Sequence, residues 1–334
     1  MSTRAKRYLQ LDAHIGQGTY GKVEKAEDST DGKVVAIKKV KVEAVTDKLA
    51  DGDAVISMYG IHYTVLREIK LMSEIHHKYV MDLKDVFVDK DFVNLVMPHM
   101  ASDLRKVLEK RVRFNEANIK CILQMILEGM KILHDNYFLH RDLSPANVFI
   151  AADGTCKVAD FGLCRMYGSP RPCKKTPKVV TLWYRSPELL FGAPYYQDKI
   201  DTWSIGCIFA ELLNGGKPLF PGLTEVDQLA KIFAITGTPV VPQEQEEEEG
   251  SQKDLYWPEC KNLPLYVDFT HCDPVPLKRI FPTSSDVAID LLSKLLKLDP
   301  NERLSCAEAL AHPYFEALPR ACQVSDLPLG QMGL

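Results

Sequence analysis

No run in this chain is apolar for long enough to cross a bilayer, which takes about twenty residues. The longest mostly apolar stretch, Trp203 to Leu213, contains Ser204, Gly206 and Glu211, so it reads as a buried core helix. The opening MSTRAKRYLQLD has no apolar centre of the kind a secretory signal needs. No lipidation signal stands at the carboxyl end. Charge of one sign is also lacking, and a formal net charge of −4 gives no electrostatic case for nucleic-acid binding. Nine cysteines are scattered without a single Cys-x-x-Cys pair. That usage fits reduced thiols in the cytosol or nucleus, not a disulfide framework, and a zinc site would need distant cysteines to converge. Internal repeats are absent. What remains is a composition ordinary for a soluble globular protein, in 334 residues, enough for a large core or two lobes.

The pattern changes character along the chain. Short strand-like runs come first: Tyr8 to Ile15, Gly21 to Glu27 and Val34 to Val40, punctuated by glycines and the turn Asp31-Gly32. A helical pattern over Tyr63 to Ile75 follows, then strand-like Met81 to Asp89 and Phe92 to Met97. Beyond Pro98 the periodicity is mostly helical, clearest over Asn118 to Asp135 and Asp201 to Asn214. A strand-rich beginning and a helix-rich remainder predict an α+β, two-lobed architecture. The expected division is residues 1–97, a hinge at 98–103, a larger lobe over 104–320 and a tail at 321–334. Lys41 to Gly60 reads as a solvent loop, and the glutamate-rich 243–252 as a disordered insertion.

Gly16-Gln17-Gly18-Thr19-Tyr20-Gly21, with Ile15 before it and Val23 after it, lies between two predicted strands. Glycines let a backbone approach phosphate oxygens closely. The same spacing opens dinucleotide sites, but those need a helix directly after the glycines, and here a second strand follows. Val35-Ala36-Ile37-Lys38 then places a lysine on a strand, where it suits phosphate binding. Such a lysine needs a carboxylate to hold it. Glu68 on the next helix is the candidate, although taken alone it could equally be a solvated helix residue.

His140-Arg141-Asp142-Leu143-Ser144-Pro145-Ala146-Asn147 and Asp160-Phe161-Gly162 carry the chemistry. Phosphoryl transfer needs a carboxylate to orient the attacking hydroxyl, here Asp142. It also needs oxygen ligands for Mg²⁺, here Asn147 and Asp160. Each short motif occurs by chance. In this order, downstream of a glycine loop and Lys38, they make the chain resemble the eukaryotic protein kinases from about Tyr8 to Phe315.

The resemblance implies more. ATP would sit against Ala36, with Met97 as gatekeeper, Pro98, His99 and Met100 as the adenine hinge, and Asp103 at the far edge. Ser186-Pro187-Glu188 stands where the family has Ala-Pro-Glu, with Glu188 paired to Arg303, and Asp201 would brace the catalytic loop. The segment Thr176 to Arg185 resembles that of the cyclin-dependent kinases, which implies a cyclin subunit, Ser/Thr-Pro substrates and a nuclear or cytoplasmic location. Thr176 would be the activating phosphosite, received by Arg67, Arg141 and Arg165. Thr181 would contact the catalytic loop. Val180 and Arg185 match the residues that shape the pocket for a proline after the target residue. Thr19 and Tyr20 match inhibitory phosphosites, or are simply loop residues.

Within that family, Phe191-Gly-Ala193, Gly168-Ser169-Pro170 and Asp227 to Phe233 are similar to the CDK-activating, basal-transcription type. That type pairs with a cyclin-H-like subunit and acts on other cyclin-dependent kinases and the RNA polymerase II tail. Ser169 would be a second phosphosite. Gly18-Thr-Tyr-Gly21 is similar instead to the cell-cycle members. Two departures stand out. Ser144 replaces the lysine that faces the γ-phosphate, which lowers the expected rate and leaves a pseudokinase scaffold as an alternative. The span from Lys38 to Glu68 is about twelve residues longer than in the family, a surface lengthening that costs little entropy.

Overall fold

The computed structural model describes residues 6–18, 21–48, 55–61, 63–168, 179–240, 255 and 257–334. Its first part is a five-stranded antiparallel sheet of order β1-β2-β3-β7-β6. The strands are β1 (Tyr8–Gly18), β2 (Gly21–Asp28), β3 (Val34–Lys41), β6 (Asp85–Asp89) and β7 (Phe92–Pro98). On one face Tyr8, Ala26, Val35, Ile37, Phe87 and Val96 form a small core of their own. Alternation along the strands turns Ala36, Lys38, Leu95 and Met97 to the other face, toward the helical part.

Two expectations are corrected here. Within the span Lys41 to Gly60, read as a solvent loop, β4 (Glu43–Lys48) and β5 (Val55–Gly60) pair antiparallel as a second sheet. The Val45-Thr46 and Val55-Ile56 pairs give both strands the β-branched residues that favour extended backbone. The strand expected from Met81 begins only at Asp85. Met81 instead donates its N–H to the Val158 carbonyl at 2.9 Å, and Val158 donates to Tyr79 at 2.8 Å, so this stretch crosses to the helical part.

Helix α1 (Tyr63–Glu74) lies between the two parts, followed in the chain by α2 (Leu104–Glu109) and α3 (Glu116–Asp135). Asn115 caps α3 through a reciprocal box with Asn118. That cap starts the helix two residues before the periodicity did. Short strands β8 (Ser102–Asp103), β10 (Val148–Ile150) and β11 (Cys156–Val158) form one small sheet, and β9 (Phe138–Leu139) pairs with β12 (Arg165–Met166). Helices α4 (Pro187–Leu190), α5 (Lys199–Leu213) and α6 (Glu225–Thr236) follow. Every residue of α5 from Ile200 to Leu212 is buried, so its polar side chains, Asp201 and Glu211 among them, must find partners inside the protein. It is the post around which the catalytic segments are fastened.

Candidate active site

The sheet sets the upper wall. In register, Val23 faces Lys38, which faces Leu95, and Ala36 faces Met97. Ala36 and Lys38 are buried, while Ile15, Val23, Met97, His99 and Met100 are half-buried along the cleft edge. Gly16, Gln17 and Gly18 lie on the end of β1. Gly21 has a packing reason to be glycine, since a Cβ there would sit 1.8 Å from the Lys39 carbonyl oxygen. Asp103 is buried, accepts the Lys106 N–H at 2.9 Å as the cap of α2, and pairs with Lys106 Nζ at 3.1 Å.

Lys38 joins the two parts of the molecule. Its Nζ donates to Glu68 Oε1 and Oε2 at 2.8 and 2.9 Å and reaches Asp160 Oδ1 at 3.4 Å. Burial disfavours the charge on this lysine, but the two carboxylates outweigh it and raise its pKa. Burial raises the Glu68 carboxyl, with Lys38 opposing. Glu68 is thus no solvated helix residue.

The catalytic loop is hung from α5. Asp201 Oδ2 accepts the His140 N–H and Oδ1 the Arg141 N–H, each at 2.9 Å, and His134 Nε2 lies 3.0 Å from Oδ2. Arg141 and Asp160 both take left-handed backbone, with φ of 64° and 61°. Such conformations cost of order 1–3 kcal/mol each and persist where surrounding contacts over-determine them. Asn147 Nδ2 donates to the Asp142 carbonyl at 2.7 Å and to Asp142 Oδ2 at 3.1 Å. Thr181 donates its N–H and Oγ1 to Asp142 Oδ1 at 3.2 and 3.3 Å. Burial, assisted by the Asp160 charge and opposed by His140, raises the Asp142 pKa. Ser144 is buried and extended just before Pro145, and it brings no charge to the loop.

An amide whose nitrogen is committed to Asp142 leaves its oxygen for a cation. Asn147 and Asp160 therefore offer the hard oxygen donors that suit Mg²⁺, which takes few protein ligands and completes its shell with water and phosphate. Among the described residues no group of three or more His, Cys, Asp or Glu side chains is placed to hold a metal.

Further along, Val180 is left-handed at φ 69°. Arg185 Nε and Nη2 donate to its carbonyl at 3.3 and 3.0 Å, and Nη1 pairs with Glu225 at 2.7 Å. Arg303 pairs with Glu188 as the motif implied. Of the three arginines expected to receive phosphate, Arg67 and Arg165 line one cavity of about 290 Å³ together with Lys70. Arg141 is buried, donating to the Leu163 carbonyl at 2.8 Å and the Tyr196 hydroxyl at 3.0 Å. The positions Thr19, Tyr20, Ser169 and Thr176, and the acidic 243–252, lie outside the described residues. Sequence reasoning missed His134 and Glu225. Their partners stand 67 and 40 residues away, and neither residue lies in a recognisable motif.

Comparison with known proteins places these residues in context. The family model described as protein kinase domain matches residues 9–315. The chain is 42% identical over 320 residues to cyclin-dependent kinase 7 of Dictyostelium discoideum, spanning 96% of this chain and 82% of that one. It is 40% identical to cyclin-dependent kinase D-1 of Arabidopsis thaliana, over 97% of this chain and 75% of the relative. Identity to cell division control protein 2 homolog 3 of Trypanosoma brucei brucei is 41%, over 92% of each. Among solved structures, a chain of the CAK complex of Chaetomium thermophilum bound to ATP-gamma-S superposes with a TM-score of 0.81 at 34% identity, covering 97% of this chain and 95% of that one.

Proposed function

Because the chain belongs to the protein kinase family, and within it to the cyclin-dependent kinases, we propose that it transfers the γ-phosphoryl group of ATP to Ser/Thr-Pro sites when joined to a cyclin. It is a serine/threonine kinase whose nearest functional reading is the CDK-activating and transcription-linked type. The observation that carries the catalytic part is Lys38 held between Glu68 and Asp160, with Asp142 oriented by Asn147 and Thr181 a short distance along the same cleft.

In this reading Lys38 binds the nucleotide phosphates, Asp142 accepts the proton of the target hydroxyl, and Asn147 with Asp160 hold Mg²⁺. The metal, when bound, neutralises charge on the phosphates. Ile15, Val23, Ala36, Met97, Pro98, His99, Met100 and Asp103 enclose the nucleoside. Phosphate on Thr176 docks at Arg67, Arg141 and Arg165. The CDK-activating subtype is supported by the D. discoideum and A. thaliana relatives and by the CAK-complex neighbour, and it points to a cyclin-H-like partner and a nuclear location. A second reading, a cell-cycle kinase, is favoured by Gly18-Thr-Tyr-Gly21 and by the T. brucei relative.

The test is radiolabel transfer from ATP, using the full chain with a cyclin-H-type or a mitotic cyclin and peptides from a CDK activation loop, the polymerase tail and a mitotic substrate. Transfer to the first two with the cyclin-H-type partner is expected. Turnover no higher than that of Asp142→Asn with every partner would defeat the enzyme reading.

A further inference from the structure

Two thiols far apart in sequence meet on α3. The carboxyl-terminal tail passes over this helix, where the Cys322 N–H donates to the Ala117 carbonyl at 3.2 Å and Asn118 Nδ2 donates to Cys322 Sγ at 3.4 Å. Ala117 and Asn118 precede Cys121 by four and three positions, so all three share one face of the helix. The Cys121 and Cys322 side chains interact directly there. Cys121 is only 5% exposed. Among the described cysteines, Cys272 and Cys322 alone are not buried. One thiol of the pair is thus open to solvent and the other is sheltered.

The contact belongs to a longer strap. Leu327 and Met332 of the tail are buried, and Lys110 Nζ, at the end of α2, donates to the Met332 carbonyl at 3.0 Å. Gly154, in the turn between β10 and β11, has a φ of 90°. A Cβ on it would stand 2.8 Å from Leu329 Cδ2, so the turn is shaped to let the tail come close.

We infer that Cys121 and Cys322 form a redox modification site, which hydrogen peroxide converts to a disulfide that staples the tail to α3. Burial, with Cys322 adjoining, pushes the Cys121 thiol up to about 12, so Cys121 is not the thiolate that attacks first. The Cys322 sulfur attacks one peroxide oxygen. Its S–O bond forms as the O–O bond breaks, and the other oxygen leaves as water. The Cys121 sulfur then attacks the Cys322 sulfenic acid. The S–S bond forms, the S–O bond breaks, and the sulfenic oxygen departs as a second water with the Cys121 proton. In all, two thiols lose two electrons and the peroxide is reduced to two waters. Their meeting on one helix face makes the second step effectively unimolecular. Disulfides in the cytosol of mesophiles are usually transient, catalytic or redox-sensing, and this one is of the sensing kind.

The experiment exposes the full, folded chain to hydrogen peroxide and reads the intact mass and the unreduced peptide map. A Cys121–Cys322 cross-link is expected, with the mass lower by two hydrogens and restored by dithiothreitol. Hydrogen exchange over residues 323–334 should slow on oxidation and recover on reduction. Cys121→Ala should leave Cys322 as a sulfenic acid that dimedone traps, and Cys322→Ala should leave Cys121 reduced. Cys272, half-buried like Cys322, should oxidise without joining Cys121. If Cys121→Ala does not fold, Cys121→Val takes its place, and the peptide map of the natural chain decides the matter without either. Oxidation of Cys322 to the sulfinic acid with Cys121 untouched would overturn the inference. So would an unreacted Cys322, or a cross-link that left exchange in the tail unchanged.

Discussion

Arg303 clasps Glu188 across 115 residues of chain, Nη1 to Oε1 at 2.8 Å and Nη2 to Oε2 at 3.1 Å, with both side chains buried. The same guanidinium donates to the Lys199 and Lys297 carbonyls and lies 5.0 Å from the Trp203 ring. It thereby ties α4, which follows the substrate segment, to the start of α5. Removing one partner of such a buried pair leaves a charge without compensation and costs about 3–5 kcal/mol. Natural stabilities are of order 5–15 kcal/mol, so Arg303→Gln should lower the melting temperature sharply. Arg303→Met combined with Glu188→Leu should recover much of the loss in the same thermal scan. A double variant as unstable as the single one would show that the pair's geometry matters beyond charge balance.

A buried imidazole gives the fold a pH signature. Burial opposes charge on His134, but the Cys306 thiol and Asp201 beside it prevail, and its pKa rises from 6.5 to about 10. Between those values the folded protein keeps a proton that the unfolded chain has released. The stabilisation is therefore fully present below pH 6.5 and is lost as the pH rises toward about 10. Melting temperatures measured across that window should fall for the natural chain and fall less for His134→Gln. Parallel slopes would mean that His134 is neutral in the fold.

In the proposed reaction Ser144 is expected to limit the rate, because it brings no charge to the catalytic loop. A charged hydrogen bond contributes about 1.5–3 kcal/mol, so restoring a lysine there should raise the rate by roughly 10- to 150-fold. The gain should appear in kcat and not in KM for ATP, because charge builds on the phosphoryl group mainly in the transition state. An unchanged kcat for Ser144→Lys would show that the loop has adapted to serine by other contacts.

Much of this site was legible because short motifs carry it. Lys38, Asp142, Asn147 and Asp160 lie in short runs whose order along the chain singled them out, and Asp201 and Arg303 were implied by the family resemblance. What stayed hidden depends on where distant segments meet. Glu68 was one acid among many until α1 set it against Lys38. Glu211 in the sequence only interrupts an apolar helix, and its partners Arg105 and Tyr184 stand 106 and 27 residues away. The pairing of β4 with β5 was concealed by the mixed charge of that stretch of sequence, which outweighed its β-branched residues.

The turn at Val180 yields the prediction on which the proline requirement depends. Its left-handed φ of 69° turns the carbonyl to Arg185, which donates to it twice. That carbonyl is thus no longer available to a peptide substrate passing over the segment. A substrate residue with an N–H at the position after the target would be left without an acceptor, at a cost of about 1–3 kcal/mol. Proline has no N–H and bears no such cost. Arg185→Ala should release the carbonyl and bring kcat/KM for Ser-Ala peptides up toward that for Ser-Pro. Glu225, 39% exposed and paired only at the outer end of the guanidinium, contributes little as a surface ion pair, so Glu225→Gln should leave the ratio nearly intact. Val180→Gly, which tolerates the same backbone angle, should preserve it as well. If Arg185→Ala kept the full preference for proline, shape alone would define the pocket and the carbonyl would have no part in it.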